Sequence, residues 1–300
     1  MLLLKLNSYI MTATRVPTLA DFEQALINVR QVAIETPILH SNFLSNLVGH
    51  EVFLKAENLQ RTGAYKLRGA FNRMSKLTKD ERKKGVVAAS AGNHAQGVAL
   101  AAKKLGIKAT IFMPVGASLP KYNATKNYGA NVVLEGAVFG ETLVAAKAYA
   151  EKKGAIFIPP FDHIDVVIGQ GTVGMEIFDQ VEDVQTIIVS IGGGGLAAGV
   201  AVAAKLRAKA RGKKVQVIGV QAENAASYVP SLRAGHPKQI DTRPTIADGI
   251  AVAKPGAIPF DLIKAHIDKV VTVSDSEIAQ AIVALAERAK LVVEPAGAAS

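Results

Sequence analysis

The chain has 300 residues, 49% of them hydrophobic and 20% charged, with 26 glycines and neither cysteine nor tryptophan. This length suggests about two domains, at roughly 150 residues each, and the composition excludes intrinsic disorder. Without cysteine there is no disulfide framework, zinc ribbon, iron–sulfur cluster or thiol nucleophile. The net charge of +10 permits an anionic ligand, but the lysines are dispersed and no nucleic-acid module accompanies them, so no nucleic-acid partner is expected.

The opening Met1–Ile10 is apolar but short, and no small-residue cleavage site follows it. Met11 is a second candidate start. No segment reaches the ~18 uninterrupted apolar residues of a membrane helix, so no membrane partner is expected. The absence of thiols fits a reducing cytoplasm, which is the expected compartment. From about residue 85, β-branched runs alternate with Ala/Lys-rich stretches. Gly85–Ser90 reads as a strand, Gln96–Lys104 as a helix, and Ile107–Met113 as a strand stopped by Pro114. Lys121–Tyr128 reads as a helix ending at Gly129, Ala130–Leu134 as a strand, and Glu141–Lys153 as a helix closed by Gly154. Thr186–Ile191, a helix over Leu196–Ala210 and the strand Val215–Val220 continue the rhythm. Such alternation predicts an α/β protein built on open, mainly parallel sheets covered by helices. The expected division is an inserted smaller module at 56–155 within a larger one made of 1–55 and 156–300. Ligands in such folds sit beyond the carboxyl ends of strands, which directs attention to the loops there.

Three loops carry chemistry. Ile191-Gly-Gly-Gly-Gly-Leu196 follows an apolar strand and opens an Ala-rich helix. Glycines remove every Cβ that would block an anion, and the helix start adds its positive end. Gly192-x-Gly194-x-x-Ala197, with Glu223 after the next strand, also fits a relaxed dinucleotide pattern, and glycines can simply serve a tight turn. Ser90-Ala-Gly-Asn-His-Ala-Gln96 again runs from strand to helix. Its amides suit a carboxylate and Asn93 a ligand oxygen; the plainer account makes Ser90 or Asn93 a helix cap and His94 structural. In Thr62-Gly-Ala-Tyr-Lys-Leu-Arg-Gly-Ala70, Lys66 stands between Tyr65 and Leu67 at a helix start. Partial desolvation there frees an amine to form a Schiff base or act as a base, whereas composition alone makes it one more surface lysine.

Taken in order, TGAYKLRGA, SAGNHAQG and SIGGGGLAAG resemble the fold-type-II, tryptophan synthase β-like pyridoxal-phosphate enzymes, in their threonine dehydratase and serine racemase branch. FDHIDVVIGQGTVGMEI from Phe161, TIADGIAV from Thr245 and VEPAGA from Val293 support it, and the likeness runs from about Thr18 to Ser300. The resemblance implies pyridoxal 5'-phosphate held covalently by Lys66, which is also the catalytic base. It implies Asn93 at the ring hydroxyl, Gly192, Gly193, Gly194, Gly195 and Leu196 at the phosphate, and Gly249 and Glu294 near the ring. It assigns Ser90, Gly92, Asn93 and His94 to the substrate carboxylate. The implied reaction is β-elimination and deamination of L-threonine to 2-oxobutanoate and ammonia, and of L-serine to pyruvate.

Departures refine the expectation. Racemase-like members carry a serine where this chain has Ala91, so elimination is favoured over racemisation. Their acidic metal ligands align with Gln221 and Ser227, so no metal is expected. Sulfur-assimilating relatives have a glycine–asparagine–threonine loop in place of Gly92-Asn93-His94. The resemblance also implies a further helix, strand and Ser-Gly-Gly-Asn-type loop whose serine meets the pyridine nitrogen. The sequence stops before it and Ser300 is not that serine, so truncation is the expectation; an authentic end would favour a non-catalytic cofactor binder. Lacking the effector domain of isoleucine-inhibited enzymes, the chain resembles the short catabolic type. A homodimer or homotetramer is what the family implies.

Overall fold

The computed structural model describes residues 15–300; the apolar opening and the alternative start at Met11 lie outside the described residues. Helix α1 (Leu19–Val29) begins at a capping box, in which Thr18 and Asp21 satisfy each other's backbone N–H groups, and buries Phe22, Ala25, Leu26 and Val29. Strand β1 (Ile38–His40), helix α2 (Asn42–Val48) and strand β2 (Phe53–Lys55) form a small antiparallel unit. Helices α3 (Lys66–Ser75) and α4 (Lys79–Lys84) then lead into the first parallel sheet.

That sheet is built from β3 (Val86–Ala89), β4 (Ala109–Met113), β5 (Asn131–Leu134) and β6 (Ile156–Phe157), in the order β5-β4-β3-β6. Helices α5 (Asn93–Leu105), α6 (Leu119–Asn127) and α7 (Phe139–Lys153) connect its strands. Helix α8 (Ile164–Gln180) carries the chain to the second sheet, which holds β7 (Thr186–Ser190), β8 (Gln216–Ala222) and β9 (Lys269–Val273), all parallel. Helices α9 (Gly195–Ala210), α10 (Tyr228–Ala234) and α11 (Ala257–His266) lie between these strands, and α12 (Asp275–Ala284) and α13 (Pro295–Ala298) follow. The α/β architecture of two open parallel sheets covered by helices is the one the alternation predicts, with the β1–β2 pair as its antiparallel exception.

Several boundaries differ from the sequence reading by one to three residues, and two helix starts have clear local reasons. The helix expected from Gln96 starts at Asn93, with Gly92 at its N-cap and no side-chain cap, so neither Ser90 nor Asn93 caps it. The helix expected from Lys121 starts at Leu119, because Pro120 sits in its first turn where a missing N–H costs nothing.

Backbone contact between helices sets the position of the functional loops. A Cβ on Gly169 would lie 2.7 Å from the Arg68 carbonyl and the Gly69 Cα, so α3 rests directly on α8. A Cβ on Gly171 would lie 2.7 Å from the Gly199 carbonyl, so α8 rests equally closely on α9. The Gln170 side chain tightens the first of these contacts by accepting the Gly69 N–H at 3.1 Å. Helix α8, buried over most of its length, thus links the helix that begins with Lys66 to the helix that begins at the glycine loop.

Candidate active site

The glycine loop leaves β7 at Ser190 and enters α9 at Gly195. Gly194 has φ +98°, a left-handed conformation that glycine alone adopts cheaply, and a Cβ there would strike the Tyr228 hydroxyl. A Cβ on Gly193 would strike the Phe161 ring, and one on Gly192 would lie 3.0 Å from the Ile250 Cα. Close packing therefore demands these glycines beyond any need for a tight turn. Helix α9 has no side-chain cap, and among the described residues no acceptor takes the N–H of Gly192, Gly193, Gly194, Gly195 or Leu196. Five adjacent donors without acceptors, at the positive end of a 16-residue helix, suit a phosphate.

Lys66 is the first residue of α3 and is half-buried. Its Nζ donates to the Pro160 carbonyl at 3.3 Å and stands 5.2 Å from the Tyr65 ring centroid. Behind it lies a charge cluster centred on Arg68, which is 0% exposed. The guanidinium makes paired bonds of 2.7–2.8 Å to Glu57 and to Glu176, and Lys55 donates to Glu176 at 2.7 Å. Burial works against the Arg68 charge, but Glu57 and Glu176 outweigh it and push its pKa up. The cluster ties α3 to α8, to the end of β2 and to the 3-10 turn that follows it.

In the Ser90–His94 segment, the Ser90 hydroxyl accepts the Gly92 N–H at 3.1 Å. Asn93 Nδ2 donates to both carboxylate oxygens of Glu294, at 2.7 and 3.0 Å. A Cβ on Gly249 would come within 3.8 Å of Glu294 Oε1, so Asn93, Glu294 and Gly249 meet in space. The His94 side chain departs from this group. Its ring is 4% exposed, and Nε2 lies 2.9 Å from the Ile158 carbonyl, which can only accept, so Nε2 carries the proton. Burial, and then the Lys66 charge, push its pKa down to about 3, and the imidazole is neutral.

One segment joins the three loops. Ile158 accepts from His94, Pro160 accepts from Lys66, and Phe161 packs on Gly193 and Gly195. Gly192 in turn abuts Ile250, beside Gly249 and its neighbour Glu294. A free amine, a row of unsatisfied amides and a carboxamide donor therefore share one locality. These residues fit a pyridine aldehyde bearing a phosphate: the amine matches its carbonyl and the glycine amides match its anion. Sequence reasoning missed Pro160 and Tyr228; Phe161 lay in a supporting motif without a role.

The alternatives fare differently. Glu223, the expected ribose ligand of a dinucleotide site, is exposed in a short 3-10 turn after β8. Gln221 is buried, its Oε1 accepting the Tyr228 N–H at 2.9 Å, and Ser227 is buried beside it. No group of three or more His, Asp or Glu among the described residues is placed to hold a metal. The Ser190 hydroxyl donates to the Ala296 carbonyl at 2.8 Å and lies 3.2 Å from that of Ser300.

Known proteins resemble this chain in sequence and in fold. A family model described as pyridoxal-phosphate dependent enzyme matches residues 29–300. An L-threonine ammonia-lyase of Thermotoga maritima is 50% identical over 281 residues, covering 94% of this chain and 69% of the relative. The processed form of threonine deaminase isoform 2 from Solanum lycopersicum superposes with a TM-score of 0.89 at 40% identity, covering 94% of this chain and 81% of that one. The serine racemase of Dictyostelium discoideum superposes with a TM-score of 0.87 at 34% identity, covering 95% of this chain and 90% of that one.

Proposed function

Given that the chain belongs to the pyridoxal-phosphate dependent enzymes, we propose that it eliminates water from L-threonine, yielding 2-oxobutanoate and ammonia, and acts likewise on L-serine to give pyruvate. The observation that carries this reading is Lys66 Nζ on the Pro160 carbonyl, one residue from the Phe161 ring that packs on a glycine loop with unsatisfied amides. When bound, pyridoxal phosphate supplies an electron sink for negative charge at the substrate Cα.

The chain's own residues do the rest. Gly192, Gly193, Gly194, Gly195 and Leu196 hold the phosphate through their N–H groups. Asn93, which here donates to Glu294, would offer its carboxamide to the ring hydroxyl, and Gly249 and Glu294 would stand near the ring. Backbone amides from Ser90 to His94, at the N-terminal end of α5, hold the substrate carboxylate. The His94 ring is committed to Ile158, so only the backbone amide of His94 is left for the carboxylate. Lys66 would hold the cofactor through its amine and would serve as the general base for the substrate Cα proton. Loss of the Cβ hydroxyl as water takes up one proton, which balances the one removed from Cα, and the released enamine tautomerises and hydrolyses to the 2-oxo acid and ammonium. Ala91 presents a methyl group where a hydroxyl would return a proton on the far face, which favours elimination.

The same reading divides the chain into a small unit at 56–155, carrying Lys66 and Asn93, and a large cofactor-binding unit of 1–55 and 156–300. It places the protein in the cytoplasm as a homodimer or homotetramer; among the described residues no helix is long and apolar enough to cross a membrane. The test is incubation of the cofactor-loaded protein with L-threonine and with L-serine, assaying 2-oxo acid, ammonia and D-serine. Stoichiometric 2-oxo acid and ammonia with little D-serine supports the proposal. D-serine as the main product would replace it with racemisation.

A further inference from the structure

We propose that the Tyr228 hydroxyl is a positioning group for the phosphate site: by holding the Gly193 carbonyl it aims the Gly194 N–H at the cofactor phosphate. The inference rests on the pyridoxal-phosphate reading and adds a residue to it. Tyr228 belongs to none of the sequence motifs, yet it is 0% exposed and sits directly against the loop. Its backbone N–H is held by Gln221 Oε1 at 2.9 Å, and its ring packs on Phe260 at a centroid distance of 6.2 Å. The hydroxyl donates to the Gly193 carbonyl at 3.2 Å, and the Gly256 N–H donates to the same oxygen at 3.1 Å.

A trans peptide points its carbonyl and its N–H in opposite directions. Two donors on the Gly193 oxygen therefore fix the direction of the Gly194 N–H, one of the five amides without a protein acceptor. Neither Gly193 nor Gly194 carries a Cβ to bias the torsions on either side of this peptide, so the two bonds hold the orientation seen here, with Gly194 at φ +98°. Burial, and then the Asp162 charge, push the Tyr228 pKa up, so the phenol stays a donor throughout the working pH range.

The test separates phosphate from ring recognition. Full-length chain stripped of cofactor is titrated with pyridoxal 5'-phosphate and with pyridoxal, which lacks the phosphate, following visible absorbance. Tyr228→Phe removes only the hydroxyl and is expected to weaken pyridoxal phosphate about fivefold, the size of one net hydrogen bond. Pyridoxal affinity is expected to stay within about twofold, since no net hydrogen bond to it is lost. Phe260→Leu loosens the same packing without touching a donor and should lower the melting temperature while leaving the ratio of the two affinities unchanged. An unchanged ratio in Tyr228→Phe overturns the positioning role, as does an equal change of ratio in Phe260→Leu. Wild-type protein that binds neither compound overturns the cofactor reading itself, and the tyrosine's role with it.

Discussion

Replacing Arg68 by methionine tests the buried charge cluster that fixes the start of α3. Arg68 and Lys55 face Glu57 and Glu176, so the group is neutral as a whole, and the Arg68 and Glu176 side chains are 0% and 2% exposed. Methionine keeps most of the aliphatic stem but leaves two carboxylates against one lysine. Removing one partner of a buried ion pair costs about 3–5 kcal/mol because the remaining charge is stranded. For a chain of this size that corresponds to a fall of roughly 5–8 °C in melting temperature. A second substitution sharpens the test. Glu57→Gln on the Arg68→Met background restores neutrality and leaves the 2.7 Å Lys55–Glu176 pair intact. The double variant should therefore melt higher than the single one, although it carries more changes. Differential scanning calorimetry on all four proteins measures the cycle. A double variant that melts at the sum of two independent losses would refute the argument from stranded charge.

Two further outcomes follow from the site. The folded-state pKa of His94, near 3, lies below its ordinary value of 6.5. The stability gained from keeping it neutral is complete above pH ~6.5 and is lost as the pH falls toward 3, by about 2 kcal/mol between pH 6.5 and 5. Urea unfolding across that range should show the slope in wild type and a shallower one in His94→Gln; equal slopes would contradict the assignment. Ala91→Ser introduces a hydroxyl on the loop before Asn93 and should raise the fraction of L-serine converted to D-serine, measured by chiral chromatography. No gain in D-serine would show that this position does not control the proton's return.

The features legible in the sequence were those encoded locally. β-branched runs and Ala/Lys-rich stretches specify strands and helices through short-range sterics, so the alternation emerged from Gly85 onward, with errors of one to three residues at helix starts. The Gly192–Gly195 loop was readable because four consecutive glycines have few other uses. The Arg68 cluster was not, since its partners Glu57 and Glu176 stand 11 and 108 positions away and nothing in either segment announces the other. Tyr228 escaped for the same reason: its role depends on β8, α10 and α11 converging behind Gly193. His94 was read as part of the loop, whereas it is the second residue of α5, and a side chain's direction follows from the helix phase. Because α5 starts at Asn93, three residues earlier than expected, the His94 ring turns inward to Ile158.

The central claim is that Lys66 holds pyridoxal phosphate and removes a proton from threonine. Its most direct test is the visible absorption spectrum of the full-length protein before and after L-threonine, recorded for wild type and Lys66→Ala. The account predicts a cofactor band in wild type that shifts on adding substrate as 2-oxobutanoate accumulates. In Lys66→Ala that band should be lost or altered, and no 2-oxobutanoate should form. A folded wild-type protein that cannot be loaded with pyridoxal phosphate, or a Lys66→Ala variant that turns over threonine normally, would contradict it.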